Sequence, residues 1–179
     1  MNVVLQNARD KARETLERYP GAISDGHVDV DYIAEMIGID VKPENMDDQR
    51  ISGFLQMKTA NGRPIIVVNG SNSNERRRFT VAHELGHYFL HSSQSTHVDD
   101  IDTAEIVMYR NQESSQATHM REIEANQFAA ELLMPERMVA EDLQLQREGN
   151  KGMSEIVGDL AAQYQVSQAA MTIRLSKIG

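Results

Sequence analysis

The sequence predicts an α+β fold that is mainly helical, with one small antiparallel β-hairpin and a helical hairpin at its C-terminal end. Three observations support this prediction. Apolar residues recur at helical spacing through much of the 179-residue chain, two short β-rich runs flank an Asn-Gly pair, and two helical patterns around a short break form the final stretch. The length fits a single domain, since domains commonly have about 100–150 residues.

The first half of the chain contains two predicted helices and the predicted hairpin. Residues 1–20 have apolar residues on one face and end in Pro20-Gly21, which stops a helix. A short helix is expected over 31–37, closed by a glycine. Residues 51–57 and 65–68 are rich in β-formers on either side of Asn61-Gly62, so we expect them to pair as antiparallel strands.

The second half is predicted to be mostly helical. One helix is expected over 75–91, and a loop carrying a short strand at 106–109 is expected over 98–115. A further helix is expected over 120–134, ended by a proline that can itself begin the next helix, which should run to about 147. The tail from 154 onward should form two helices, the second capped by Ser167.

Composition and charge exclude several classes of function. Lys and Arg total 18 against 27 Asp and Glu, a net charge of −9, which disfavours binding to nucleic acid or to an anionic membrane. No cysteine is present, so a thiolate nucleophile and a cysteine-ligated zinc site are excluded. No apolar run approaches the roughly 18 residues that span a bilayer. We therefore expect a soluble cytoplasmic protein whose metal, if it has one, is bound by His, Asp or Glu.

The strongest chemical signal is His83-Glu84-Leu85-Gly86-His87, an H-E-x-x-H pattern. Two histidines four residues apart lie on the same face of a helix and can bind one cation, while Glu84 can act on a water beside it. His91 continues the spacing, but it lies about 12 Å from His83 along a helix and is too far to share the ion. The extended metzincin pattern is absent.

A third ligand is expected from the helix predicted over 120–134. At 100° per residue, Glu122 and Asn126 fall within the apolar arc, whereas Glu124, Gln127 and Glu131 fall on a polar arc expected to face solvent. Polar groups within an apolar arc need partners, so we assign Glu122 to the metal and Asn126 to orienting a histidine ligand. Glu124 is the alternative ligand. Two histidines and a glutamate are a known ligand set for catalytic Zn²⁺.

Two long motifs, at residues 78–91 and 122–135, together resemble the ImmA/IrrE family of metallo-endopeptidases. The resemblance implies a zincin-like peptidase domain over residues 1–149, with a C-terminal helical hairpin over 150–179 packed on it. It also implies that His83, His87 and Glu122 bind zinc and that Glu84 is the catalytic base. Such proteins are cytoplasmic proteases of bacteria, mobile genetic elements and phages that cleave a helix-turn-helix repressor and thereby switch on genes.

The oxyanion-stabilising residue stays open, because four polar residues between the motifs could serve: His97, Tyr109, Arg110 and His119. The tail has the outline of a helix-turn-helix, yet residues 145–179 carry four basic and three acidic residues, so direct DNA binding is disfavoured. The alternative function is a metal-stabilised module that binds a repressor, or DNA, without proteolysis. Glu84 favours the enzyme, because a structural metal site needs no base.

Overall fold

The computed structural model describes residues 3–24, 26–48, 50–57, 59–60, 62–91, 112–149 and 151–178. The helices in these ranges are α1 (Val3–Arg18), α2 (Val30–Met36), α3 (Asn74–His91), α4 (Gln112–Leu133), α5 (Glu136–Glu148), α6 (Met153–Tyr164) and α7 (Gln168–Ile178). The strands are β1 (Ile23–Ser24), β2 (His27–Val28), β3 (Asp40–Glu44), β4 (Gly53–Gln56) and β5 (Ile65–Asn69), and Pro20–Ala22 form a 3₁₀ turn. The architecture is the mainly helical α+β fold that the sequence predicts.

The larger sheet has three strands in the order β3-β5-β4. β4 and β5 pair antiparallel, with Gly53 opposite Val68, which confirms the predicted hairpin. β3 pairs with β5 in parallel and was not predicted, because it contains Pro43 and charged residues. Proline is tolerated there since β3 lies at an edge of the sheet. The small β1–β2 pair was not predicted either.

Helix α4 lies at the centre of the hydrophobic core. It packs against α3 on one side and against α1 on another. Its side chains Phe128 and Leu132 are fully buried, together with Leu85 of α3 and Ala12 of α1. The sheet covers α3 through β4 and β5, and Ile66 of β5 is fully buried. This arrangement brings the helix that carries both histidines against the helix that carries the two candidate glutamates.

Most predicted helices are present, with shifted ends. The first predicted helix corresponds to α1, which ends at Arg18. Pro20 and Gly21, where the helix was expected to stop, belong to the 3₁₀ turn. α4 begins at Gln112, eight residues before the predicted start, so the end of the loop expected over 98–115 is helical. The short strand expected at 106–109 lies outside the described residues. The two tail helices are present, and the backbone N–H of Ala170 donates to Ser167 Oγ at 3.1 Å, as expected of an N-cap.

The two C-terminal helices contact the rest of the molecule through polar bonds as well as apolar packing. The Tyr164 hydroxyl donates to Asp142 on α5 at 2.6 Å, and Arg174 on α7 donates to Glu131 on α4 at 2.6 Å. α6 and α7 also contribute Leu160 and other side chains to the common hydrophobic core. Among the described residues, no helix is long and apolar enough to cross a membrane.

Candidate metal centre

The two histidines of the motif lie one turn apart on α3 and face the same point. α3 begins after Ser73, whose hydroxyl accepts a hydrogen bond from the Arg76 N–H at 3.3 Å. The Nε2 atoms of His83 and His87 are 3.0 Å apart, and their rings meet edge to face with centroids 4.7 Å apart. Both rings therefore direct the nitrogen that commonly binds a metal toward one position.

Glu122 of α4 completes this cluster. Its Oε2 lies 3.3 Å from His83 Nε2, and its Oε1 lies 3.1 Å from His87 Nε2. The three side chains offer ligand atoms that all lie within 4.8 Å of one another, so they could hold a metal ion. The carboxylate keeps about half of its surface exposed, with a side-chain exposure of 48%, which leaves the position open to water or to a substrate.

The electrostatics of the cluster follow from these short contacts. Hydrogen bonds from His83 and His87 hold the pKa of Glu122 well below its usual range. Burial tends to lower the pKa of His83, but the hydrogen bond with Glu122 and the charge of nearby Glu84 outweigh burial and raise it. An ionised carboxylate held beside two imidazoles has the charge that a divalent cation requires.

Asn126 lies one turn after Glu122 on α4 and contacts the back of a histidine ring. Its Oδ1 is 3.0 Å from His83 Nδ1. When Nδ1 donates its proton to this amide oxygen, Nε2 keeps the lone pair that a metal ligand needs. The structure therefore places Asn126 where it can fix both the tautomer and the orientation of His83.

Glu84 is buried beside the cluster, at 9% exposure. Burial raises its pKa, while the charges of His83 and His87 and a hydrogen bond from the backbone N–H of Leu55 act in the opposite direction. Leu55 belongs to β4, which pairs only with β5 among the described strands, so the carboxylate lies near an edge strand of the described sheet. A buried carboxyl with a raised pKa is suited to accept and return a proton.

A glycine allows the two ligand-bearing helices to approach closely. A Cβ placed on Gly86 would lie 3.0 Å from Ala125 Cα and 3.1 Å from the Ala125 carbonyl oxygen. Gly86 lies between His83 and His87 on α3, and Ala125 lies between Glu122 and Asn126 on α4. From the sequence alone, Gly86 is only a position within the H-E-x-x-H pattern. Its small size lets α4 bring Glu122 within reach of both imidazoles.

Glu124, the alternative candidate ligand, does not join the cluster of His83, His87 and Glu122. Glu124 Oε2 lies 3.7 Å from His91 Nε2, so the structure brings these two residues together and places neither in the cluster of His83, His87 and Glu122. The prediction that Glu131 faces solvent is wrong. It is fully buried, because α1 and α7 pack over that side of α4 and supply Arg13 and Arg174 as partners.

The oxyanion candidates are only partly described. His97, Tyr109 and Arg110 lie outside the described residues. His119 is exposed on α4, one turn before Glu122. The choice among these four candidates for stabilising the oxyanion is therefore left as it was after the sequence analysis.

Comparison with known proteins agrees with this geometry. A peptidase family model, described as the IrrE N-terminal-like domain, matches residues 34–176. Uncharacterized immunity region protein 2 of Bacillus phage phi105 is 31% identical over 61% of this chain and 60% of its own length. Metallopeptidase ImmA of Bacillus subtilis (strain 168) is 29% identical over 72% of this chain and 64% of its own length. Radiation response metalloprotease IrrE of Deinococcus radiodurans is 32% identical over 63% of this chain and 31% of its own length.

The matches thus span less than two thirds of the length of each of these three relatives. The family match, by contrast, extends over most of this chain and includes both motifs and every residue of the cluster. On that basis the chain belongs to the ImmA/IrrE family, whose shared domain is the IrrE N-terminal-like domain.

Proposed function

We propose that this chain is a zinc-dependent endopeptidase with His83, His87 and Glu122 as zinc ligands and Glu84 as general base. The observation that carries the proposal is that three side chains, two histidines from α3 and one glutamate from α4, converge beside the buried carboxyl of Glu84. Ligands about 2.0–2.1 Å from a tetrahedral zinc ion lie about 3.3 Å from one another. The two Nε2 atoms are 3.0 Å apart, and each lies within 3.3 Å of a different carboxylate oxygen of Glu122, so the three side chains are close enough to bind one ion.

Zinc bound by these residues would supply a Lewis acid that polarises the peptide carbonyl and lowers the pKa of water. Glu84 would take the proton from the attacking water and deliver it to the nitrogen of the leaving amine, so no covalent intermediate with the protein is needed. Asn126 would hold the His83 ring in place during this cycle. The open edge of β4 would bind an extended substrate as an added strand.

We propose a regulatory protein, most simply a helix-turn-helix repressor, as the substrate. The family resemblance implies such a target. The names of two relatives, one a phage immunity region protein and one a metallopeptidase, support proteolysis in a regulatory setting. Cleavage of the repressor would switch on the genes that it controls.

The C-terminal hairpin supports the peptidase over the DNA-binding alternative. Arg174 of α7 is 3% exposed and pairs with the buried Glu131, so it is not available to a phosphate. We propose that residues 150–179 form a hairpin that completes the peptidase domain of residues 1–149 and does not read DNA.

The test is the substitution Glu84→Gln, which keeps the shape of the side chain but cannot accept the water proton. The neighbouring genes are searched for a helix-turn-helix repressor, the zinc-loaded protein is incubated with that repressor, and products are followed on gels and by mass spectrometry. Wild type should cleave the repressor, and Glu84→Gln should be slower by about 10²–10⁴-fold with the same zinc content. Glu17→Gln, an exposed site on α1, is the matched control and should cleave normally.

Two outcomes would contradict the proposal. Equal cleavage by wild type and Glu84→Gln would remove Glu84 from the mechanism. If Glu84→Gln relieved repression in cells as well as wild type without cleaving the repressor, the module that acts without proteolysis would replace the peptidase.

A further inference from the structure

A largely apolar groove of about 620 Å³ begins beside the metal cluster and extends away from it. Its walls come from the N-terminal half of α3, the C-terminal half of α4 and one face of α7. The principal lining residues are Phe79, Asn126, Ala130, Met134, Ala169 and Ile173. Asn126 belongs both to the groove and to the contacts of His83.

The groove follows the same helix faces that carry the ligands. Phe79 lies one turn before His83 on α3, and Asn126 and Ala130 lie four and eight residues after Glu122 on α4. At 1.5 Å per residue these two positions are about 6 and 12 Å from Glu122 along the helix. An extended peptide advances about 3.3–3.6 Å per residue. A peptide with its scissile bond at the metal would therefore place residues two to four positions away in the groove.

The groove wall formed by α7 is apolar, and a buried ion pair attaches this helix to α4. Ile173 is a large apolar side chain that remains 57% exposed, and Ala169 next to it leaves space. Arg174 fixes the helix to α4 through its 2.6 Å ion pair with Glu131, in which both side chains are at most 3% exposed. The groove is thus preformed, and a bound side chain need not order it.

Two cations at the groove set its charge preference. Arg76 of α3 and Lys177 of α7 both line it, and within the described part of the chain neither has a carboxylate partner. Among the described residues, the Arg76 guanidinium donates to Ser52 Oγ, at 2.7 and 3.1 Å. The one acidic lining residue, Glu75, already accepts hydrogen bonds from Ser73 and from its own backbone N–H. In a chain with a net charge of −9, this is a local site for an acidic group.

We propose that this groove is the specificity-determining subsite of the peptidase. It binds a large apolar side chain, such as Leu, Met or Phe, two to four residues from the scissile bond, with an acidic residue beside it facing Arg76 and Lys177. The helical hairpin at the C-terminus thereby selects substrate. The inference rests on the proposed function, because the groove is a substrate subsite only if the cluster cleaves peptides.

The first test profiles cleavage sites in a proteome-derived peptide library. Zinc-loaded wild type should prefer Leu, Met or Phe at one position two to four residues from the cut. Ala169→Trp fills the groove from an exposed site and should reduce that preference by at least about tenfold, because apolar pockets discriminate by that factor or more. Ala162→Trp, at an exposed site on α6 outside the groove, should leave the profile unchanged. Lys177→Glu should change the preferred neighbour from Asp or Glu to Lys or Arg.

The second test does not need catalysis. Octapeptides with one photo-leucine and either a neighbouring Asp or Lys are irradiated with zinc-loaded Glu84→Gln protein, and adducts are mapped by mass spectrometry. Adducts should concentrate on α7 and the end of α4, and the peptide with Asp should give more adduct than the peptide with Lys. The adduct yield should fall at least about tenfold in the Ile173→Asp variant. Leu145→Asp is the matched control, since Leu145 is an equally exposed apolar residue, 65% exposed, on α5.

The outcomes separate the two proposals. If wild type cleaves no peptide above the Glu84→Gln background while adducts still map to the groove, the proposed peptidase function fails and the apolar, acidic-selective binding site is supported. If wild type cleaves without an apolar preference, or if Ala169→Trp keeps the wild-type profile, the subsite is refuted. Adducts spread evenly over the surface would refute it as well.

Discussion

The substitution Gly86→Ala tests whether close helix contact builds the metal centre. The added Cβ would lie 3.0 Å from Ala125 Cα, 3.1 Å from its carbonyl oxygen and 3.2 Å from Phe128 Cδ1, whereas ordinary contacts are 3.4–4 Å. Two of these three atoms are backbone and cannot rotate away. α3 and α4 must therefore separate by about 0.3–0.4 Å at this point.

The consequences can be worked out for stability and for metal binding. Alanine gains about 1 kcal/mol over glycine inside a helix, but overpacking of a core costs about 1–3 kcal/mol. The free energy of unfolding of the metal-free protein should therefore fall by about 0–2 kcal/mol. A separation of about 0.3–0.4 Å exceeds the tolerance of about 0.2 Å for metal–ligand distances, and Glu122 moves away from both histidines. Zinc affinity should drop by about 10–100-fold.

The matched control is Gly158→Ala on α6, where the nearest atom to the new Cβ would be Gln168 Nε2 at an ordinary 3.8 Å. It should gain about 0.5–1 kcal/mol in stability and leave zinc affinity unchanged. The assays are urea unfolding of the metal-free protein and competition for zinc with a chelator at fixed pH. A Gly86→Ala protein that gained stability as Gly158→Ala does and bound zinc as tightly as wild type would refute the reasoning.

Three further predictions follow from the same geometry. Glu122→Ala should lower zinc affinity by more than 100-fold and Glu124→Ala should leave it nearly unchanged, as chelator competition would show; the reverse order would exchange their roles. Glu131→Ala leaves the buried Arg174 uncompensated and should cost about 3–5 kcal/mol in urea unfolding, while Glu141→Ala, which breaks an exposed pair, should have little effect; equal losses would refute the buried pair. Zinc competes with protons for histidine ligands, and the hydrogen bond with Glu122 and the charge of Glu84 raise the pKa of His83 despite its burial, so zinc affinity should weaken steadily as pH falls below 7, and a flat profile would exclude histidine ligands.

Local pattern was enough to predict the chemistry-bearing helices. The H-E-x-x-H spacing places His83 and His87 on one helix face whatever surrounds them, because the helix period alone determines it. The same helical-wheel argument singled out Glu122 and Asn126, and both side chains do meet the histidines, but its premise that they lie within a buried apolar arc is wrong, because both are exposed. The assignment of their roles in binding and catalysis stays a prediction for the experiments above.

Features that depend on distant parts of the chain were not predictable. Glu131 was assigned to a solvent-facing arc because the helical-wheel argument assumes one buried face, but α4 is covered from more than one side. Its partners Arg13 and Arg174 are 118 and 43 residues away in sequence. β3 was missed for a related reason: Pro43 weakens the strand pattern, and only the parallel pairing with β5 makes this segment a strand.

The position of Glu122 depends on how α4 is held against the neighbouring helices. Glu131 accepts a hydrogen bond from Arg13 of α1 at 3.0 Å and from Arg174 of α7 at 2.6 Å, so the helix is anchored to two others by one buried carboxylate. Glu131 lies nine residues, or about 13.5 Å along the helix, from Glu122. Gly86 brings α3 against the intervening stretch. The anchor and the close contact together restrict sliding and rotation of α4, so the two carboxylate oxygens of Glu122 lie 3.1 and 3.3 Å from the Nε2 atoms of His87 and His83. A centre preorganised in this way loses little ordering entropy on metal binding, and the same anchored α7 forms the wall of the adjoining groove.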